Sequence, residues 1–396
     1  MVESGEKKPV AIKGEMILNE NAERNYLYDH VTRQVKKKFY DPGLHGAQWE
    51  MLTSEYRRFL PHINNNFDFQ EMLSELLGEL NASHTGARYR HSDPKGDQTA
   101  SLGVFFDGTY EGLGLKIVEI MEGSPLVQAG SKIKEGSIIE KIDGVTIEPG
   151  LNYYPLLNRK ADTIVLLSLF DPESSERWEE KVKPISLGQE RQLLYDRWVK
   201  RNRKITHELS NGRLGYMHIR GMSDSSYREF IDVVMGEEVN REGLVVDSRF
   251  NGGGDLVDDL TTFLSGESYQ VFKAPDRTIG FESQRRWTKP SIVLVCESNY
   301  SDAHCFPAAY RDQGIGKIVG MPVPGTCTFV WWEQLQNGVV FGIPNLGVAD
   351  KSGDILENKQ LEPDIFVRNE YGKVATGIDQ QLERAVRELL VEINKK

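Results

Sequence analysis

Between about Asn19 and Tyr89 the apolar positions recur near the helix period. Tyr28, Val31, Val35 and Phe39 share one face before Asp41-Pro-Gly breaks the run. Met72, Leu73, Leu76, Leu77 and Leu80 make a broad face over Phe69 to Leu80. Helix–helix packing accounts for both. The second stretch ends at Asn81-Ala-Ser-His-Thr-Gly86, a polar breaker where a side chain can be presented rather than buried. From about Ser101 to Asp171 the pattern shortens to strands and turns. Gly112 to Ile120 reads as a strand, Gly123-Ser-Pro125 as a turn and Leu126 to Gly130 as a short helix. Gly136 to Ile147 alternates as a hairpin around Asp143-Gly144, and Ile164 to Leu169 supplies a last strand. Beyond about Leu187 the reading is α/β. Gly215 to Ile219, Gly243 to Arg249 and Ser291 to Cys296 are buried-strand signals with helical stretches between them, and Asp379 to Leu390 is an amphipathic helix.

Composition narrows the classes. With 396 residues, 39% hydrophobic and 27% charged, the chain has material for two or three ordinary globular domains. The net charge of -11 leaves no basic excess to displace counterions from phosphates, so no nucleic-acid partner is expected, and an anionic membrane surface is disfavoured. No run of about 18 apolar residues occurs, so no membrane span is expected. Met1 to Gly14 is polar and Lys-rich without an apolar core, so no signal peptide is read there. Cys296, Cys305 and Cys327 have neither zinc spacing nor an even count. No metal, no cofactor and no disulfide framework is therefore expected, which fits a reducing compartment.

Four segments carry candidate chemistry. Ser301 follows the apolar strand Ser291 to Cys296 and opens a helix. Alone it is most economically an N-cap. The same place at the mouth of a sheet, beside free helix N–H groups, also suits an attacking serine. Gly252-Gly-Gly254 follows another strand and can bring amide N–H groups close to a ligand. A dinucleotide fingerprint fails there because Val257 stands where the third glycine belongs. Ser83-His84 offers a proton carrier suited to neutral pH. His304 competes with it, three residues beyond Ser301 on the same helical face, but has no evident orienting acid. Glu357 can supply the acid that fixes a histidine tautomer.

The order of elements over roughly 85 residues after Ser101 resembles a PDZ domain, with Ser137 replacing the acid of its glycine–acid pattern. That resemblance implies capture of a peptide C-terminus by strand addition, with Leu102, Gly103 and Val104 as the carboxylate loop. Phe39 to Trp49, Gly78 to His84, Val246 to Gly254 and Glu357-Asn to Pro363-Asp364, in that order around such a domain, resemble the C-terminal half of tricorn-type serine peptidases. These are relatives of the C-terminal processing peptidases. The resemblance extends from about Glu15 to the C-terminus. It implies an α/β catalytic core of ClpP/crotonase-like type (188–396), an N-terminal helical subdomain carrying the histidine (1–95) and an inserted all-β PDZ-like domain (96–187).

Carried over residue by residue, the resemblance makes Ser301 the nucleophile and His84 the general base. Ser83 and Glu357 orient the base. The amides of Asp302 and Gly254, with Gly253 adjacent, form the oxyanion hole. Processing peptidases use a lysine base about 25 residues after the serine, but Pro324-Gly-Thr-Cys-Thr328 contains none. Two departures stand out: relatives commonly carry an acid at His304, and a Trp-Gly-Gly turn where this chain has Val323-Pro-Gly-Thr326. The implied function is hydrolysis of peptides or unfolded protein substrates. The implied location is cytoplasmic, or periplasmic or exported had an upstream signal been removed, and a homo-oligomer is allowed. The alternatives are a catalytically inactive peptide-binding PDZ scaffold on the same fold and a small-ligand binder.

Overall fold

A computed structural model describes residues 14–91 and 93–395. The leader reading at Met1 to Gly14 thus falls, but for its last residue, outside the described residues.

The apolar runs beyond residue 187 form one parallel sheet. In spatial order its strands are Leu214–His218, Gly243–Asp247, Ser291–Val295, Lys317–Gly320 and Ile365–Phe366. The first three are buried at every position. Burial on both faces explains why they read as continuous apolar runs rather than alternating ones. Met217, Leu244, Val246, Val293, Val295 and Ile318 face one core, with Phe230, Leu260 and Phe306 from the helices on that side. Leu214, Tyr216, Val245, Ile292, Leu294 and Val319 face the other, against Leu382, Ala385, Val386 and Leu389 of the terminal helix Gln380–Lys395. Each fully buried aliphatic side chain contributes about 1.5–3 kcal/mol relative to exposure.

The N-terminal helices Glu20–Lys38, Trp49–Arg57 and Asn66–Gly78 include both predicted helical faces. Asn19 and Asn65 cap the first and third, accepting the N–H of Ala22 and of Asp68 at 3.1 and 2.9 Å. Their core is completed by Leu335, Val339, Phe341 and Ile343, so it crosses the line drawn at residue 95. These partners lie on or beside the antiparallel strands Thr328–Gln334 and Val340–Gly347, the second of which pairs on its other edge with Gly86–Arg88.

The middle segment forms a mixed-length antiparallel sheet from Val104–Phe106 to Glu176–Val182 around Ile117, Ile139, Ile142, Leu167 and Leu169. Asp143 and Gly144, at φ 48° and 79°, make the predicted two-residue turn. Two expectations fail here. The strand begins at Leu115 rather than Gly112, because Gly114 sits in the left-handed region at φ 88°. Leu126 to Gly130 is a run of turns, not a helix: the Ser124 hydroxyl takes the Leu126 N–H, and Gly130 at φ 84° ends the stretch.

The cysteine reading also needs correction. Cys305 and Cys327 form a disulfide across 22 residues, while Cys296 is a buried free thiol. An odd count hid a pair that is joined only when the helix Asp302–Asp312 meets the turn before Thr328.

Candidate active site

The segment after strand Ser291–Val295 folds back sharply before the helix Asp302–Asp312. Ser301 occupies the corner at φ 57°, ψ -124°, and its side chain makes no capping hydrogen bond. The N-cap reading of its hydroxyl is therefore displaced by geometry. A non-glycine residue at positive φ costs on the order of 1–3 kcal/mol, and here the surroundings impose it. Asn299, buried beneath the turn, accepts the Cys296 N–H at 3.1 Å. It donates to Ser248 Oγ at 3.1 Å and to the Ala303 carbonyl at 3.2 Å. The Tyr300 N–H reaches the Asn251 carbonyl at 3.0 Å, and the Ser301 N–H reaches Thr326 Oγ1 at 2.9 Å.

The glycine loop after strand Gly243–Asp247 lies directly against this corner. A Cβ on Gly253 would sit 2.5 Å from Ser301 Cβ, and one on Gly254 would sit 1.8 Å from the Met222 carbonyl oxygen. Only glycine permits that approach. Asn251 fixes the loop through its amide to the Ile219 carbonyl (2.8 Å) and its Oδ1 from the Gly253 N–H (2.8 Å). Behind it, buried Arg249 pairs with Asp247 at 2.6 Å and Asp379 at 2.8 Å, tying the strand end to the terminal helix.

The loop's amides are thus not equivalent. The Gly253 N–H is spent on Asn251, which removes it from the expected oxyanion donors. Among the described residues, no acceptor meets the N–H of Gly254 or of Asp302. Asp302 itself links helix to loop, its carboxylate accepting the Leu256 N–H at 2.7 Å. Burial pushes that carboxyl up to about 6.

His84 arrives from the turn after helix Asn66–Gly78, held at φ 60°. Its backbone N–H donates to the Tyr300 hydroxyl at 2.6 Å and its ring lies 4.8 Å from the Tyr300 ring, so the imidazole and the corner are adjacent. The imidazole and Ser301 Oγ are not directly hydrogen-bonded. Nδ1 lies 2.7 Å from Ser83 Oγ, whose hydroxyl donates to Glu357 Oε2 at 2.9 Å. The Ser83 N–H holds the other carboxylate oxygen. An ionised carboxylate only accepts, so the Ser83 proton points to Glu357 and its oxygen must accept the Nδ1 proton. This order leaves Nε2 without a proton, as a base requires. Burial lowers the His84 pKa to about 4 and raises that of Glu357, while the two Ser83 hydrogen bonds pull the acid back.

His304 is built differently. It is 1% exposed, its Nδ1 accepts the Thr326 N–H at 3.1 Å, and burial lowers its pKa to about 4. It bonds to none of Ser83, Glu357 or the glycine loop through its ring; its role is to pin the turn Gly325–Thr328.

Three residues at the site were not picked out as site residues from the sequence: Tyr300, Thr326 and Thr328. Tyr300 sat inside the segment singled out for Ser301. The turn carrying both threonines stands out in the sequence for its missing lysine and its departure from a Trp-Gly-Gly turn, neither of which points to a hydroxyl. Leu102 and Val104, on either side of Gly103, line a separate groove of about 370 Å³ with Phe106, Tyr153 and Leu157. The Gly103 N–H is taken by Ser101 Oγ at 2.9 Å, so it is not free to hold a carboxylate. Beside the corner, a cavity of about 340 Å³ is lined by Asp255, Val257, Asp302, Phe329 and Leu356. No helix among the described residues is long and apolar enough to cross a membrane.

Three family profiles match the chain: peptidase family S41 over residues 213–367, the tricorn protease C1 domain over 20–78 and the tricorn protease PDZ domain over 116–186. A tricorn protease homolog of Streptomyces coelicolor is 30% identical over 388 residues, covering 92% of this chain and 32% of the relative. The tricorn protease of Thermoplasma acidophilum is 26% identical over 386 residues, covering 93% of this chain and 35% of the relative. The chain thus spans about a third of the length of these relatives. The crystal structure of the tricorn protease superposes with a TM-score of 0.83 at 24% identity, over 94% of this chain and 37% of that one, which establishes the shared fold.

Proposed function

Because the chain belongs to the tricorn branch of peptidase family S41, we propose that it hydrolyses peptide bonds through an acyl-enzyme on Ser301. The observation that carries this reading is the chain of hydrogen bonds from Glu357 through Ser83 to His84 Nδ1. It leaves Nε2 as the proton acceptor. On attack, the Ser301 proton passes to Nε2 and the carbonyl oxygen becomes an oxyanion. The unspent N–H groups of Gly254 and Asp302 receive it. Collapse expels the amine with the proton returned by His84, and water repeats the sequence to release the acid.

The substrates proposed are short or unfolded peptides, with the PDZ domain's groove as an accessory peptide-binding surface. We divide the chain as 1–95, 96–187 and 188–396, the last a ClpP/crotonase-like core, with the N-terminal helices sharing their core with strands of the last unit. Homo-oligomerisation is part of the same proposal. Of the two compartments the sequence allows, the Cys305–Cys327 pair favours an oxidising, exported one.

The test is Ser301→Ala in the full chain, assayed on a panel of fluorogenic peptides and by labelling with a fluorophosphonate. Turnover should fall by several powers of ten and labelling should vanish, with folding intact. A variant as fast as the parent would remove Ser301 from the chemistry. A parent that neither labels nor turns over would favour the peptide-binding scaffold.

A further inference from the structure

The carboxylate that orients the base does not touch it. Glu357 accepts from the Ser83 N–H and hydroxyl, and the Ser83 oxygen stands between it and the imidazole. The Ser83 oxygen alone would give one acceptor to a ring whose charge rises by one during the reaction.

A second hydroxyl stands at the same nitrogen. Thr328 Oγ1 lies 3.1 Å from His84 Nδ1 and 3.3 Å from Ser83 Oγ, and the residue is buried. It opens the strand Thr328–Gln334, which pairs with Val340–Gly347 and through it with Gly86–Arg88, two residues beyond His84. The β-branched side chain on a paired strand has a stiff χ1, unlike the serine in its turn. The residues before it reach the nucleophile: Thr326 Oγ1 accepts the Ser301 N–H at 2.9 Å, and Cys327 is bonded to Cys305 of the Ser301 helix.

We propose that Thr328 is a positioning residue of the site, sharing the His84 Nδ1 proton with Ser83 and holding the imidazole in register with the Ser301 corner. The inference rests on the serine-peptidase reading above. With the Ser83 proton committed to Glu357, the Nδ1–H is shared between two hydroxyl oxygens. The imidazolium formed on attack then has two acceptors instead of one. The effect belongs to the charged state of the ring, so it acts on the chemical step and not on substrate binding.

The experiment compares Thr328→Val, Thr328→Ser and Thr328→Ala in the full chain, with Ser301→Ala alongside. Fluorophosphonate labelling rates are measured, and kcat and KM on a peptide amide that the parent cleaves. Thr328→Val, which keeps shape and strand propensity, should lose about 10–100-fold in kcat and in labelling rate with KM little changed, the size of one charge-assisted hydrogen bond. Thr328→Ser should recover to within about threefold of the parent. If Thr328→Val does not fold, the Ser-to-Ala ratio decides, because that pair differs by the hydroxyl. A ratio of about tenfold or more supports the role. Parent-like rates in Thr328→Val, or equal losses in the serine and alanine variants, would overturn it. If instead Ser301→Ala keeps the parent's activity, the peptidase reading itself fails, independently of Thr328.

Discussion

The two halves of the site are built by opposite means. The nucleophile half is local: the Ser301 corner and the glycine loop each follow directly from a strand of one parallel sheet, with strand ends one ladder position apart. Glycines and buried asparagines fix its geometry, the asparagines tying each loop to the strand ends beside it. The base half is assembled from a turn at Ser83-His84, a strand start at Thr328 and a loop at Glu357. Its parts are far apart in the chain and meet through side-chain hydroxyls. A local corner stores backbone strain. A distributed network has to be held by its neighbours, so the two should fail differently.

The largest effects should separate the two histidines. His84→Ala is expected to lower kcat/KM by about 10³-fold or more with the fold retained. His304→Ala, which loses a ring buried against Thr326, should cost about 1–3 kcal/mol of stability in urea unfolding and leave the chemistry of folded molecules far less affected. Reversed outcomes would move the base to the nucleophile half. Gly254→Ala should follow, at about 10²–10³-fold in kcat, because the added methyl collides with the Met222 carbonyl and displaces the oxyanion donor. Gly254→Ala kinetics matching the parent would take that amide out of the hole. Glu357→Gln comes next, at roughly 10²-fold, since an amide can donate to Ser83 and reverse the proton order that leaves Nε2 bare. If Glu357→Gln and the parent share one kcat, the relay is ornamental.

How much of this was legible follows the same division. Three buried strands announce themselves as unbroken apolar runs, and the turn into Ser301 sits at the end of one. The strands Lys317–Gly320 and Ile365–Phe366 are too short to register against background. Thr328–Gln334 carries Trp332 and Gln334 on solvated positions, which blurs its periodicity. Glu357 by itself reads as a surface acid, and the family resemblance is what ties it to Ser83 and His84. Thr328 had no signal at all: a threonine in a strand is ordinary, and only the fold brings it within 3.1 Å of His84. The disulfide escaped for the same reason, being a contact between two segments that no spacing rule connects.

The smallest effect is also the most diagnostic, and it concerns pH. Burial lowers the pKa of both His84 and His304 from 6.5 to about 4. Between those values the unfolded chain binds more protons than the folded one, so their contribution to stability rises with pH and is lost on acidification. Asp302 runs the other way. Its carboxyl, raised from 3.8 to about 6, binds a proton in the folded state that the unfolded state has released, so its contribution falls as pH rises through that window. Raised Glu357 adds to the second trend. The opposing slopes make stability an insensitive probe of the base half across this range, and the kinetic limb a sensitive one. If His84 Nε2 accepts the proton, kcat/KM should hold down to an acid limb nearer pH 4 than 6.5, because the ring stays neutral until then. A limb at the ordinary histidine value would mean that the ring titrates in contact with water, and that the base half is not as tightly closed around His84 as the nucleophile half is around Ser301.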